Sequence, residues 1–312
     1  MYNVTLFPVC AIIKKVVVNL YNNRIFNINF SLKRAFILLI GKHFSLIITI
    51  TIVMHTSEIR EITILPGKNK DNSSENFREI KIRPGDTISI VGPTGSGKSA
   101  FINDIEMFAQ KDTVTKRTVL VNSLPAPEEF IRDPSKKPVA MITQNTKCLA
   151  DLTVRQFLDM HVRSRKIADE TVVEKTIELA NEFTGEKIVE NVRMTSLSGG
   201  QTRSLMIADA IVVSNTPIIL LDEIENAGIF KENVIKCLKT HKKALLFVTH
   251  DPLVSLLSER RIVMKNGAVS EVICPGDSEK EALSEILKID LTMSALRERI
   301  RCGEIIKNIQ PA

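Results

Sequence analysis

This sequence predicts an α/β fold, and three observations predict it. Short, nearly continuous apolar runs recur along the chain, as strands covered on both faces require. A stretch of helical periodicity interrupts them between Leu152 and Thr195. The run GPTGSGKS (Gly92–Ser99) sits between one such strand and a helical segment, the context in which a glycine loop cradles phosphate.

REITIL (Arg60–Leu65) alternates like a strand, and GKNKDNSSEN (Gly67–Asn76) is a polar loop. FREIKIRPGD leads through a Pro-Gly turn into the strand TISIV (Thr87–Val91), and AFINDIEMFAQ continues the glycine loop as a helix. Further buried strands are expected at RTVLVN (Arg117–Asn122), PVAMIT (Pro138–Thr143), PIILL (Pro217–Leu221) and ALLFVT (Ala244–Thr249). TVRQFLDMHVRSRK and DETVVEKTIELANEF both carry the 3.6-residue period, so an all-helical insert, about 150–196, divides the α/β layers. The tail from Asp277 is helical, with Ser278 and Glu281 spaced as a capping box and Gly303 suited to a C-terminal cap. No repeat of 20–50 residues is visible, which argues against a solenoid.

Composition narrows the function. The 312 residues are 44% apolar and 25% charged, as in ordinary globular chains, and the formal net charge is +6. That excess sits entirely in the first 57 residues, which hold no Asp or Glu but carry Lys14, Lys15, Arg24, Lys33, Arg34 and Lys42. Removing those six from the 42 basic residues leaves 36, matching the 36 acidic ones, so the remainder offers no charge footprint for nucleic acid. Cys10, Cys148, Cys237, Cys274 and Cys302 are odd in number and scattered, which suits a reducing, cytoplasmic setting.

Residues 1–57 form a separate basic, apolar leader. Its most apolar part, Ala35–Met54, is about as long as a bilayer span, but Lys42 near its middle costs about 2.5–3.5 kcal/mol on insertion scales. Three readings stand open: an extension upstream of a true start at Met54, a membrane-associated arm, or an extra folded element.

The glycine loop carries the chemistry. Gly92, Pro93, Thr94, Gly95, Ser96 and Gly97 let backbone amides curl toward an anion, and the following helix adds its N-terminal partial charge. Lys98 is placed to reach the β- and γ-phosphates, and the Ser99 hydroxyl to bind Mg²⁺. PIILLDEIENAG (Pro217–Gly228) ends a strand in two carboxylates: Asp222 to hold Mg²⁺, Glu223 to polarise a water. FVTHDP puts His250 at the next strand end, within reach of a γ-phosphate or of the catalytic carboxylate.

In order, the phosphate loop, Gln144 after PVAMIT, LSGGQ (Leu197–Gln201), LLDE and VTH make the chain resemble the ATP-binding cassette (ABC) ATPases. The intervals fit too: 46 residues from Lys98 to Gln144, 54 to Ser198, 24 to Asp222 and 28 to His250, the match running from about Ile59 to Val272. The resemblance implies a P-loop NTPase cassette with a RecA-like core, an N-terminal antiparallel β subdomain and a helical insert. It also implies ATP and Mg²⁺ as ligands. Two cassettes, two copies or this chain and a sister subunit, would close head to tail, with Ser198, Gly199, Gly200 and Gln201 meeting the triphosphate held by the other cassette. Gln144 would sense Mg²⁺ and the attacking water, Glu223 would be the general base and His250 the switch. The cassette would occupy 58–275, followed by a helical extension at 276–312.

LSGGQ itself makes physical sense in that role, because a segment that brings amides and a hydroxyl close to another subunit's phosphates cannot carry bulky side chains. Two departures stand out. Many cassettes stack adenine on an aromatic residue well before the phosphate loop, where this chain reads ITILPGKNK, and Phe77 is too near the loop. After the catalytic carboxylate this chain has Asn226–Ile229, NAGI, in place of the family's Ser-Ala-Leu-Asp. The leading expectation is the nucleotide-binding subunit of a transporter, peripheral at the inner face of the cell membrane, with its permease on another chain. The alternative is a soluble ABC ATPase that remodels a protein, cofactor or ribosomal complex.

Overall fold

The computed structural model describes residues 59–143, 151–223 and 229–306, and its strands divide between two sheets. An antiparallel sheet has the order β2 (Ile80–Ile82), β1 (Ile62–Leu65), β4 (Thr118–Val121), β5 (Leu124–Pro125). The larger sheet has the order β10 (Ala268–Ile273), β9 (Arg260–Lys265), β3 (Thr87–Val91), β8 (Ala244–Val248), β7 (Ile218–Asp222), β6 (Val139–Ile142). Its strands run parallel except β10, which pairs antiparallel with β9.

Eight α-helices lie among the described residues, some packed on the larger sheet and others in the insert and the tail. They are α1 (Lys98–Glu106), α2 (Glu128–Arg132), α3 (Val154–Ser164), α4 (Val172–Glu182), α5 (Gly199–Val212), α6 (Lys231–Thr240), α7 (Pro252–Leu257) and α8 (Asp277–Arg301). The continuous apolar character of β7 and β8 follows from the period of two. Ile218 and Leu220 enter one core with α1 and the antiparallel sheet, while Ile219 and Leu221 enter the other with α3 to α6. RTVLVN departs from expectation: β4 lies in the antiparallel sheet, and its side chains alternate between half-buried and buried. It is covered fully on one face only, and the apolar run did not distinguish the two sheets.

Within the insert, Thr153 caps α3 through a capping box with Gln156, whose side chain accepts from the Thr153 amide at 2.9 Å. Arg155 then ties α3 to Glu174 on α4 and to Glu190, so the insert is cross-braced by charge. In the tail, α8 begins at Asp277, two residues too early for Ser278 to be its cap. Gly303 does terminate it, at φ 79° with its amide on the Ile300 carbonyl.

The largest fully buried side chain is Arg117, immediately before β4. It donates bidentately to Glu75 at 2.8 and 2.7 Å, to Asp104 of α1 at 3.0 Å and to the Gly267 carbonyl at 2.8 Å. Its guanidinium also lies 5.0 Å from the centre of the Phe101 ring. Glu75 accepts in addition from the amides of Gly67 and Val269, both at 2.9 Å, and Asp104 from the Thr115 hydroxyl at 2.7 Å. One guanidinium thus joins the polar loop 67–76, the helix after the glycine loop and the turn between β9 and β10.

Removing one member of a buried ion cluster strands the others without compensation, at about 3–5 kcal/mol. Arg117→Met should therefore lower unfolding stability by that amount in guanidinium chloride titrations. A loss below about 1 kcal/mol would show that the cluster is not a structural support.

Candidate active site

The glycine loop leaves the carboxyl end of β3 and turns into α1 through three positive-φ glycines, at 148° for Gly92, 76° for Gly95 and 101° for Gly97. Two of them leave no room for a side chain. A Cβ on Gly92 would lie 2.3 Å from the Met264 carbonyl oxygen, and one on Gly97 would lie 2.9 Å from the Gly267 Cα. The backbone of β9 and its turn therefore press directly on the loop. Gly267 also donates to the Ser96 carbonyl at 2.8 Å.

Lys98 opens α1 and is buried, with its ammonium folded across the loop onto the carbonyls of Gly92 (2.7 Å) and Pro93 (3.2 Å). Gly97 caps α1 in the left-handed conformation, with no side-chain capping bond. The Ser96 hydroxyl is buried and has no protein partner. Ser99, Thr94 and Pro93 are exposed at the loop's surface. A cradle closed to side chains, a buried lysine, a hydroxyl lacking a partner and a helix N-terminus together fit a phosphate chain.

Parallel pairing brings the other expected groups to the same edge. In the order β3, β8, β7 the strands end at Val91, Val248 and Asp222, with Asp222 in register with Val248. Glu223 follows directly, half-buried, its amide on the Val248 carbonyl at 2.9 Å. Its φ is 50°, a left-handed conformation that costs a non-glycine residue on the order of 1 kcal/mol. The adjoining strand thus holds the Glu223 backbone in a strained state, a frequent property of functional positions.

His250 is exposed one residue beyond Thr249, whose amide bonds the Ile90 carbonyl at 3.2 Å. Asp251 fixes the chain after it: it caps α7 by accepting from Leu253 and Val254, takes its own amide bond to the Thr249 hydroxyl, and pairs with Lys231 of α6. Gln144 lies outside the described residues, as do Asn226, Ala227 and Gly228 of the NAGI segment. Ile229 is buried and bridges to Thr184.

The signature follows the helical insert directly, at the start of α5. Ser198 caps α5, its hydroxyl accepting from the Gln201 amide at 3.2 Å while the Gln201 side chain accepts from the Ser198 amide at 2.9 Å. Gln201 also donates to the Lys187 carbonyl at 3.2 Å. Ser198 and Gly199 are exposed, Gly200 is half-buried, and a Cβ on Gly199 would meet nothing within 4 Å. Just before the signature Arg193 pairs with Asp151, and this hydrogen bond holds the Asp151 carboxyl below its usual range.

Two participants were not found in the sequence. Lys70, in the polar loop, reaches the Gly95 carbonyl with its ammonium at 2.7 Å, and its backbone amide bonds Asn266. Phe77 is packed half-buried against the core, so it is engaged away from any base. The turn that presses on the loop had a readable signal: Asn266-Gly267 between β9 and β10, with φ 51° and 82°, is the dipeptide that favours a tight hairpin.

Fold and loop define the class first: a phosphate-loop nucleotide-binding protein. The chain belongs to the ABC transporter family, whose model matches residues 77–226. An uncharacterised ABC transporter ATP-binding protein of Methanocaldococcus jannaschii is 48% identical over 247 residues, which is 79% of this chain and 95% of that relative. An sn-glycerol-3-phosphate import ATP-binding protein of Bordetella avium is 28% identical over 204 residues, 63% of this chain, and the chain spans 54% of its length. Among solved structures, a dimeric ATP-binding cassette in a post-hydrolysis state with ADP and phosphate matches with TM-score 0.53 at 23% identity. That match covers 69% of this chain and 99% of the other, and it supports the fold alone. Among the described residues, no helix is long and apolar enough to cross a membrane.

Gly97→Ala forces a Cβ against Gly267 in a left-handed backbone, so the loop must shift. Strain of about 1–3 kcal/mol predicts a loss of nucleotide affinity of roughly tenfold or more. Titration with a fluorescent ATP analogue reads this directly, and unchanged affinity would mean that the loop does not hold the phosphates.

Proposed function

We propose that this chain binds and hydrolyses ATP in a head-to-tail pair of cassettes, as the nucleotide-binding subunit of a transporter whose permease is a separate chain. The cassette is assigned to 58–275, with the leader 1–57 before it and the helical extension 276–312 after it. Its place is the inner face of the cell membrane. One observation carries the reading: the phosphate loop and the Asp222–Glu223 pair end β3 and β7, the two strands that flank β8 in one parallel run, so a triphosphate seated on the loop has carboxylates at its far end.

The roles follow from position. Loop amides and the N-terminus of α1 bind the β- and γ-phosphates, and Lys98 releases the Gly92 and Pro93 carbonyls to reach them. Ser99 and Asp222, with Gln144 in the role the resemblance implies, would hold Mg²⁺, which would supply neutralisation of the phosphate charge. Glu223 accepts a proton from the attacking water, and His250 contacts the γ-phosphate side and reports its presence. Ser198, Gly199 and Gly200 of one cassette meet the triphosphate of the other through their amides and hydroxyl, with Gln201 bracing that turn as its cap.

A soluble remodelling ATPase is the second reading. It is favoured by the 25-residue helix α8, on which Ile289, Leu291, Met293 and Ile300 are exposed, because such an extension offers a surface beyond the cassette. Co-purification of residues 54–312 with membranes supports the transporter, whereas recovery with a soluble partner supports the alternative.

Glu223→Gln should keep ATP binding and lose turnover by about 10²–10⁴-fold, the range for removing a general base, and should accumulate an ATP-bound dimer in light scattering. Lys98→Ala should lose nucleotide binding. Should Ser198→Ala combined with Gly200→Val leave turnover unchanged, the trans contact has to be abandoned.

A further inference from the structure

Helix α8 runs for 25 residues and packs against α7, yet none of its described side chains is fully buried. Six of its apolar residues nevertheless fall in one register, with Leu283, Leu287 and Leu291 outside it. Ala282, Ile286, Ile289, Met293, Leu296 and Ile300 are spaced 4, 3, 4, 3 and 4, the 3.5-residue repeat of a coiled-coil seam. Most of that seam faces solvent: Ile289 is 61% exposed, Met293 44% and Ile300 57%, with Ile286 and Leu296 half-buried. An apolar stripe kept in one register for almost three heptads is costly to expose, and its period is that of a helical partner.

We propose that α8 pairs antiparallel with α8 of a second copy of this chain. Charge beside the seam selects both the partner and its direction. The flanking positions are Leu283, Asp290 and Arg297 on one side and Glu285, Thr292 and Arg299 on the other. In a parallel pair Glu285 would face Asp290 of the partner subunit, twice, so two like-charge contacts would form. Turned antiparallel, Glu285 faces the partner's Arg299, again twice, and the only like-charge meeting is Asp290 with the partner's Asp290 at the centre. Arg299 now holds Glu304 at the exposed end of its own chain, a pair that solvent screens and that can be exchanged.

The seam closes in the same antiparallel register. Ile286 lies against the partner's Leu296, Ile289 against the partner's Met293, and Ala282 against the partner's Ile300. A two-fold axis near Leu291 repeats every layer, as an isologous interface requires. This pairing needs no nucleotide and does not rest on the proposed sandwich, since it uses residues outside the phosphate loop and the signature. It gives the chain a means of staying paired while cassettes open.

The test uses the full chain in EDTA without nucleotide, measured by sedimentation equilibrium. Twice the monomer mass is expected at micromolar concentration. Ile289→Asp with Ile300→Asp should raise the dissociation constant at least 100-fold. Leu291→Asp, equally exposed at 56% but on the opposite side of the helix, should leave it unchanged. A monomeric wild type, or a dimer indifferent to the Ile289/Ile300 double variant, overturns the proposal, as does a Leu291→Asp chain that also dissociates. Direction is read in chains whose native cysteines are replaced by serine. Ile286→Cys mixed with Leu296→Cys should form a disulfide that neither forms alone, whereas cross-linking of Ile286→Cys to itself overturns the antiparallel arrangement. The nucleotide sandwich is tested apart from this pairing, by Glu223→Gln in the Ile289→Asp/Ile300→Asp background: failure of ATP to trap a dimer there counts against the sandwich and leaves the α8 pairing as it stands.

Discussion

The buried contact of Arg117 with Glu75 and Asp104 is the constraint on which the rest of the molecule depends. Three separate pieces converge on it: the loop 67–76 from the antiparallel sheet, α1 behind the phosphate loop, and the β9–β10 turn that presses on that loop from outside. Burying charge is costly unless every lone pair and proton finds a partner, and here nearly all do. Four of the five guanidinium donors are used, and Glu75 is further satisfied by two backbone amides. A planar, pre-organised fork suits this junction, whereas a lysine could not hold three directions at once.

From that junction the geometry of the loop follows. The turn held by Arg117 puts Gly267 against Gly97, and β9 puts the Met264 carbonyl against Gly92, so the loop is shaped by neighbouring backbone as well as by its own glycines. The same turn orders Lys70, whose ammonium rests on Gly95. Where related cassettes carry an aromatic side chain for the base, this chain brings a cation to the loop. In the proposed reading, binding energy therefore comes from the phosphate end of the nucleotide, and the base is left to contacts other than stacking.

Much of this was legible in the sequence, for physical reasons that also explain the gaps. Strands β3, β7 and β8 were readable because both of their faces are covered, so every position is apolar, and the carboxylates of LLDE mark where cover ends. The phosphate loop and the signature were readable because their chemistry is local, fixed by glycines and a cap within a few residues. Glu75 was not, because a glutamate in a polar loop looks solvated until its partner, 42 residues away, is known. β4 was assigned its strand but not its sheet, since sheet membership is decided by pairing with β1 rather than by its own residues. The β9–β10 hairpin carried its Asn-Gly signal, but Arg260, Arg261 and Lys265 at the ends of RRIVMK cut its apolar run to three residues and hid the strand.

The two helix N-termini of the proposed site differ in a way that fits two kinds of binding. α1 is capped by a glycine that supplies no side-chain acceptor, and its first residue is the buried Lys98, so the end is built to receive an anion within one subunit. α5 caps itself: Ser198 and Gln201 satisfy each other's amides, and Gln201 anchors the turn to the Lys187 carbonyl. A self-satisfied end keeps its shape with no anion nearby, because its N3 donor already has an acceptor and the helix is not left frayed. What it still presents outward are the Gly199 and Gly200 amides and the serine proton, enough to complete another subunit's phosphate site and weak enough to let go. Had the caps been exchanged, the phosphate loop would compete with its own serine for the nucleotide, and the signature would need a ligand in order to stay folded.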